Sequence, residues 1–214
     1  MTCYYYKIIN ETTDPVLKNV DVVLILTMEG SNRFKEDPFL LSLTKKTIIQ
    51  YNKGYKNCKK PDTIKSTKED IVHAYYTAFE YLKEYNNVII LEDDAIVINK
   101  DLIAYEKIDN FIKNKNFNIF SFGSIGFFSK YNNDFYKILP NYCFGSTQAT
   151  IYSKESRKLL INNIIETNFN KGQVDSGYID KLNNKYTYKY PLIVQLFPGT
   201  ENMANWHKIY IVLI

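Results

Sequence analysis

The chain has 214 residues, 45% of them apolar and 23% charged, with a formal net charge of +4. That length suits one substantial α/β domain and is short for two, so a single domain over 1–214 is expected. The mild charge argues against a nucleic-acid surface, with Lys45-Lys46 and Lys59-Lys60 reading as solvated faces. No run approaches the length of apolar chain that a membrane span needs.

The three cysteines, Cys3, Cys58 and Cys143, are an odd number, far apart and without CxxC pairing. They suggest neither a zinc site nor a disulfide framework, and so favour a reducing compartment with free thiols. The N-terminus, MTCYYYKIINETTD, has no basic region followed by an apolar one, so no signal peptide is expected there. A cytoplasmic location is the resulting expectation.

In chain order, DVVLILTM (21–28) reads as a buried strand, followed by a turn, EGSNRF, with Gly30 and Arg33. DPFLLSLTKKTIIQY (37–51) follows, opening as a helix with Asp37 as cap and Pro38 at its first position. STKEDIVHAYYTAFEYLKEYN (66–86) is a helix capped by Ser66 or Thr67, with Glu69 or Asp70 completing a capping box. Ile71 or Val72, Tyr75, Phe79 and Leu82 recur on it at helical spacing. A strand VIILEDD, a helix DLIAYEKIDNFIKNK and a strand NIFSFG come next. GSTQATIYSKESRKLLINNII then reads as a strand running into a helix capped by Ser153. The C-terminal IYIVLI reads as a strand or an oligomerisation edge. Such strand–helix alternation predicts an α/β fold with a mostly parallel central sheet flanked by helices.

The run VIILEDDAIVI (88–98) raises the functional question. Its apolar residues belong to a strand buried on both faces, yet three acids interrupt them, and a buried carboxylate is costly unless something pairs with it. In sheets of this class ligands bind outside the carboxyl ends of the strands, where these acids fall. Alternate residues on an extended strand end point the same way, so Glu92 and Asp94 can face one hard cation, Mg²⁺ or Mn²⁺, while Asp93 faces elsewhere. The alternative is that the acids cap the next helix or sit in solvent.

The order of these features resembles glycosyltransferase family 25, the group of lipooligosaccharide and collagen galactosyltransferases. The opening strand with Asn32-Arg33 is similar to the family's N-terminal element, and His73 falls where the family has a helical His. ILEDDA (90–95) is similar to its acidic motif, GSTQATIYSKESRKLL (145–160) to its GT-x-A-Y motif, and Val174-Asp175 to its (I/V)D. The resemblance covers roughly residues 20 to 180. It implies a GT-A nucleotide-sugar fold and transfer of a sugar from a nucleotide-sugar donor, a uridine diphosphate sugar first of all. The acceptor would be a hydroxyl of a glycan or protein.

A leaving diphosphate needs a cation or basic donors beside it. Glu92 and Asp94 are the candidate metal ligands, with His207 as a further one in keeping with late His ligands of GT-A enzymes. Arg33 and Asp93 are candidate donor contacts, Arg33 being otherwise a surface arginine. Gly145, Ser146 and Thr147 could offer backbone and hydroxyl groups to a sugar, or form a turn. His73 reads as a packed core histidine or a ligand, and Trp206 as a stacking platform or core residue. The family inverts configuration, which implies a carboxylate base for the acceptor hydroxyl; Asp175 is the candidate, or else a helix cap, with Asp180 behind it. Two other classes stay open: a Mg²⁺-dependent phosphotransferase, although LEDDAIV lacks the D-x-D-x-T form, and an inactive carbohydrate-binding scaffold.

Overall fold

Residues 22–28 (VVLILTM) and 87–92 (NVIILE) are apolar on both faces and become adjacent strands at the middle of a sheet. The computed structural model describes residues 2–124, 126–139 and 147–195. The strands are β1 (Tyr4–Glu11), β2 (Val22–Met28), β3 (Lys46–Asn52), β4 (Asn87–Glu92), β5 (Ala95–Val97), β6 (Ile119–Ser121), β7 (Phe128–Lys130), β8 (Phe135–Ile138), β9 (Ala149–Ser153), β10 (Lys185–Tyr188) and β11 (Ile193–Gln195). The helices are α1 (Pro38–Leu41), α2 (Thr67–Tyr81), α3 (Leu102–Asn114) and α4 (Lys154–Glu166). A π-helical turn (Val174–Tyr178) and a 3₁₀ turn (Ile179–Lys181) precede β10.

Nine strands form one sheet in the order β1-β3-β2-β4-β9-β6-β10-β8-β7, and β5 pairs with β11 separately. The fold is α/β, as the alternation implies, and the sheet is mixed. Strands β2, β3 and β4 run parallel, β9 is antiparallel between β4 and β6, and β10 returns parallel to β6. From β2 the chain moves to β3 on one side and then crosses back to β4 on the other. The carboxyl ends of β2 and β4 therefore flank a switch point, the usual ligand crevice of such sheets.

Strand alternation sorts the sheet's side chains into two cores. Val23, Ile25, Ile89, Leu91 and Ile151 pack with Leu40 next to α1's end and with Tyr105, Ile108 and Phe111 of α3. Val22, Leu24, Val88, Ile90 and Tyr152 pack with Val72, Tyr75 and Phe79 of α2, Leu160 of α4, and Val174 and Tyr178. The caps read from the sequence for α2 and α4 hold, and α3 has one that was not read. Ser66 and Glu69 close a capping box on α2, and Asp101 and Ser153 cap α3 and α4.

Three local expectations need correction. The helix opening at Pro38 is one turn long, with Asp37 accepting from Phe39 N, and TIIQYN becomes β3. The β-branched Thr47, Ile48 and Ile49, buried between β1 and β2, favour a strand there. Residues 4–11, left without an element by the sequence, form edge strand β1 against β3. Its Tyr4–Asn52 register brings Cys3 beside the loop after β3, where it forms a disulfide with Cys58. The expectation of three free thiols is thus overturned, and the cysteine pattern carries no argument about compartment.

Arg157 of α4 illustrates how the second core is held. Almost fully buried, it donates to the carbonyls of Leu82, Tyr85, Asn86 and Tyr152, closing the end of α2 and the approach to β4. Burial lowers its pKa to about 10.

Candidate functional site

Strand β4 ends at Glu92, and Asp93-Asp94 form the turn into β5. The alternation expected for Glu92 and Asp94 therefore stops one residue short. Glu92 continues the Val88–Ile90 face toward α2, where Tyr75 Oη donates to its Oε1 at 2.9 Å and Thr147 Oγ1 at 2.7 Å. Among the described residues these are its hydrogen-bond donors, and both go to the same oxygen. Burial pushes the Glu92 carboxyl up to about 7, and the charges of Asp94 and Asp175 add to that, while the Thr147 and Tyr75 hydroxyls oppose it.

Asp93 turns the other way. Its Oδ2 accepts from Thr27 Oγ1 at the end of β2 (2.8 Å) and from Ser31 Oγ in the following loop (2.9 Å). It fastens that loop, and so presents Arg33. The Arg33 guanidinium is paired with Asp94 Oδ2, and its Nε lies 3.6 Å from Asp93 Oδ1. Gln195 Nε2, on the last residue of β11, donates to the same Asp94 oxygen at 2.8 Å. Asp94 Oδ1, by contrast, is buried with no hydrogen-bond partner among the described residues, although the residue is only 5% exposed. Burial raises the Asp94 carboxyl above its ordinary value against the opposing pull of Gln195 and Arg33.

The strand that brings Gln195 in is set by a close backbone approach. A Cβ on Gly123 would lie 2.2 Å from the Ile193 carbonyl oxygen, so only glycine lets β11 lie there beside β6's end.

Asp175 sits in the first turn of the π-helical segment, and its Oδ1 accepts from Ser176 N at 2.7 Å. The N-cap position itself belongs to Gln173, whose side chain makes no cap bond, so Asp175 is not the helix cap. It is half-buried, burial raises its carboxyl, and its charge acts on both Glu92 and Tyr152. Asp180 instead accepts from the buried Lys185 Nζ, through its backbone oxygen at 2.6 Å.

His73 belongs to a separate buried network. Its Nδ1 bonds Tyr4 Oη at 2.8 Å, while Lys60 Nζ donates to Tyr4, Asn52 and Asp70. Burial, with the nearby Lys60 charge, lowers its pKa to about 4, so it is a neutral core histidine. Gly145, Ser146, His207 and Trp206 lie outside the described residues.

The structure thus gathers Arg33, Glu92, Asp93, Asp94, Thr147 and Asp175 around the carboxyl end of β4. Sequence reasoning missed Tyr75, Ser31, Thr27 and Gln195. Tyr75 carried only a core signal, because helical spacing cannot tell a packed ring from one whose hydroxyl reaches an acid.

Among the described residues no group of three or more His, Cys, Asp or Glu side chains is arranged to hold a metal ion. The oxygen-only donors and the buried, unpartnered Asp94 Oδ1 nonetheless suit a hard cation that takes most of its ligands from phosphate and water. No helix among the described residues is long and apolar enough to cross a membrane.

No protein-family model matches the chain, and no curated protein matches it. A solved structure, "Crystal Structure of A197 from STIV", aligns with 88% of this chain and 100% of that one, at 13% identity and a TM-score of 0.46.

Proposed function

We propose that the protein is a glycosyltransferase that moves a sugar from a nucleotide-sugar donor, a uridine diphosphate sugar, to a hydroxyl of a glycan or protein with inversion. The observation that carries this is the meeting of Arg33 with Asp93 and Asp94, next to Glu92, at the switch point between β2 and β4. That is where an α/β sheet of this kind takes a nucleotide. The motif resemblance over residues 20 to 180 supports the same chemistry.

In this reaction the acceptor hydroxyl attacks the anomeric carbon as the bond to the diphosphate breaks. Asp175, whose raised carboxyl lies near the site, takes the hydroxyl proton. Arg33 offers its guanidinium to the departing diphosphate, a planar fork well matched to phosphate oxygens. Asp93 keeps that arginine in place through Thr27 and Ser31. Asp94 Oδ1 and Glu92 would hold Mn²⁺ or Mg²⁺, which when bound supplies further positive charge to the leaving group.

Thermal-shift and calorimetric titration with uridine diphosphate sugars, with Mn²⁺ and with EDTA, tests the proposal. Saturable donor binding that weakens in EDTA, and that Asp94→Ala removes without unfolding the protein, is the expected result. Equal donor affinity in EDTA and in Mn²⁺ would sink the metal role, and no binding of any nucleotide would sink the function.

A further inference from the structure

The acids at the end of β4 already hold a cation, and it is one of the chain's own. The Arg33 guanidinium lies between Asp93 and Asp94, paired with Asp94 Oδ2 and 3.6 Å from Asp93 Oδ1. Gln195 fixes the same Asp94 oxygen from the opposite element, while Oδ1 is buried and has no partner among the described residues. Arg33 is the most exposed of the three. Its side chain is 26% exposed, against 10% and 4% for Asp93 and Asp94, and it rides on a loop rather than a strand.

We propose that Arg33 is a resident counter-cation: it neutralises the Asp93–Asp94 pair in the empty protein, and a divalent cation enters only as a diphosphate draws the guanidinium away. The inference rests on the glycosyltransferase reading for the identity of the diphosphate, though not for the behaviour of the cation.

The argument is electrostatic and geometric. Without nucleotide, a free cation meets a carboxylate pair already carrying one positive charge, and finds in that pair one buried oxygen without a partner among the described residues, Asp94 Oδ1. One such oxygen is a poor site for Mg²⁺ or Mn²⁺, which hold their waters unless several better oxygens replace them. A diphosphate changes both conditions together. Its oxygens supply the missing ligands, and its negative charge gives the guanidinium a bidentate partner outside the carboxylate pair. Cation and diphosphate therefore bind as a unit, and the order of events is set by Arg33.

Calorimetry with MnCl₂ alone, and with uridine diphosphate plus MnCl₂, separates the possibilities. The wild-type chain should bind Mn²⁺ alone weakly, and about tenfold or more tighter once the nucleotide is present. Arg33→Gln should bind Mn²⁺ alone about tenfold or more tighter than wild type, because a competing positive charge is gone. Asp94→Asn in the Arg33→Gln background should cancel the gain. Arg33→Lys keeps the charge without the fork and should fall between, which keeps the test open if Arg33→Gln folds poorly. Unchanged Mn²⁺ affinity in both variants, or a gain that survives Asp94→Asn, would overturn the counter-cation. Wild-type protein binding Mn²⁺ equally well with and without nucleotide would overturn it too. A gain in Arg33→Gln with no nucleotide binding by any variant would support the counter-cation and reject the nucleotide-sugar reading instead.

Discussion

The Tyr75 hydroxyl donates to Glu92 Oε1 across 2.9 Å, so helix α2 and strand β4 meet at the first acid of the site. Glu92 has an unfolded value of 4.5 and a folded one of about 7. A carboxyl raised in this way contributes stability that is fully present below 4.5 and lost as pH rises through 7. The Tyr75 hydroxyl opposes the rise by stabilising the ionised form. Tyr75→Phe should therefore lower stability by about 1–3 kcal/mol at pH 8.5, and by less at pH 5.5, where Glu92 is largely protonated. Urea unfolding at the two pH values measures the difference. A loss independent of pH would mean that the hydroxyl does not act on the ionised Glu92.

His73 gives the opposite sign. Its pKa falls from 6.5 to about 4 on folding, chiefly by burial, so the unfolded chain binds the proton more readily. Its contribution is present above pH 6.5 and lost as pH falls toward 4. Because Glu92 changes in the contrary sense over much of this range, the difference between wild type and His73→Gln isolates the histidine. That difference should shrink by an amount on the order of 2 kcal/mol between pH 7 and pH 4.5. Parallel stability–pH curves for the two proteins would show that His73 titrates alike in folded and unfolded chains.

How far the sequence reaches is clear from particular residues. The apolar flanks of the acid run place β4, and Ser66 and Ser153 announce their helices, because each signal is local. Pro38 is also a local signal and misleads, since one turn satisfies it before β-branched residues and neighbouring strands take over. The Arg33–Asp94 pair spans 61 residues and Gln195–Asp94 spans 101, so neither can be read from spacing. Asp93 is a candidate donor contact by its place in the acid run, and its side-chain partners are not legible there. Its partners, Thr27 and Ser31, are supplied by the parallel register of β2 with β4.

The Cys3–Cys58 bridge closes a loop with a sequence separation of 55 and ties the edge strand β1 to the segment carrying Lys60. In the chain-entropy account a loop of that size contributes about 4 kcal/mol by restricting the unfolded chain. Cys58→Ser should lower stability by about 2–4 kcal/mol, with the Lys60–Asp70–Tyr4 network loosened next to it. Alkylation in denaturant should label at most one cysteine without reductant and three with it. Three labels without reductant would show that the bridge does not form.

Asp175 carries the proposed proton transfer, and its neighbourhood separates catalysis from support. Its Oδ1 accepts from the backbone amide of Ser176, one residue on, and Gln173 rather than Asp175 holds the cap position. An amide in place of the carboxylate keeps a carbonyl oxygen for Ser176 N, so Asp175→Asn should leave the π-helical turn and its place in the α2 core in position. What it removes is a proton acceptor that burial has raised toward a useful value. The acceptor hydroxyl is a poor nucleophile until its proton is taken in the transition state. Asp175→Asn should therefore cut transfer by about two to four orders of magnitude. Donor affinity should hardly change, because the proposed diphosphate contacts are Arg33 and Asp94, not Asp175. Removing its charge should also let Glu92 ionise at lower pH, since Asp175 helps raise that carboxyl. The measurements are single-turnover transfer, donor titration and the Glu92 ionisation followed by NMR. Near-full transfer by Asp175→Asn, or a joint loss of donor binding and folding stability, would remove Asp175 from the base role.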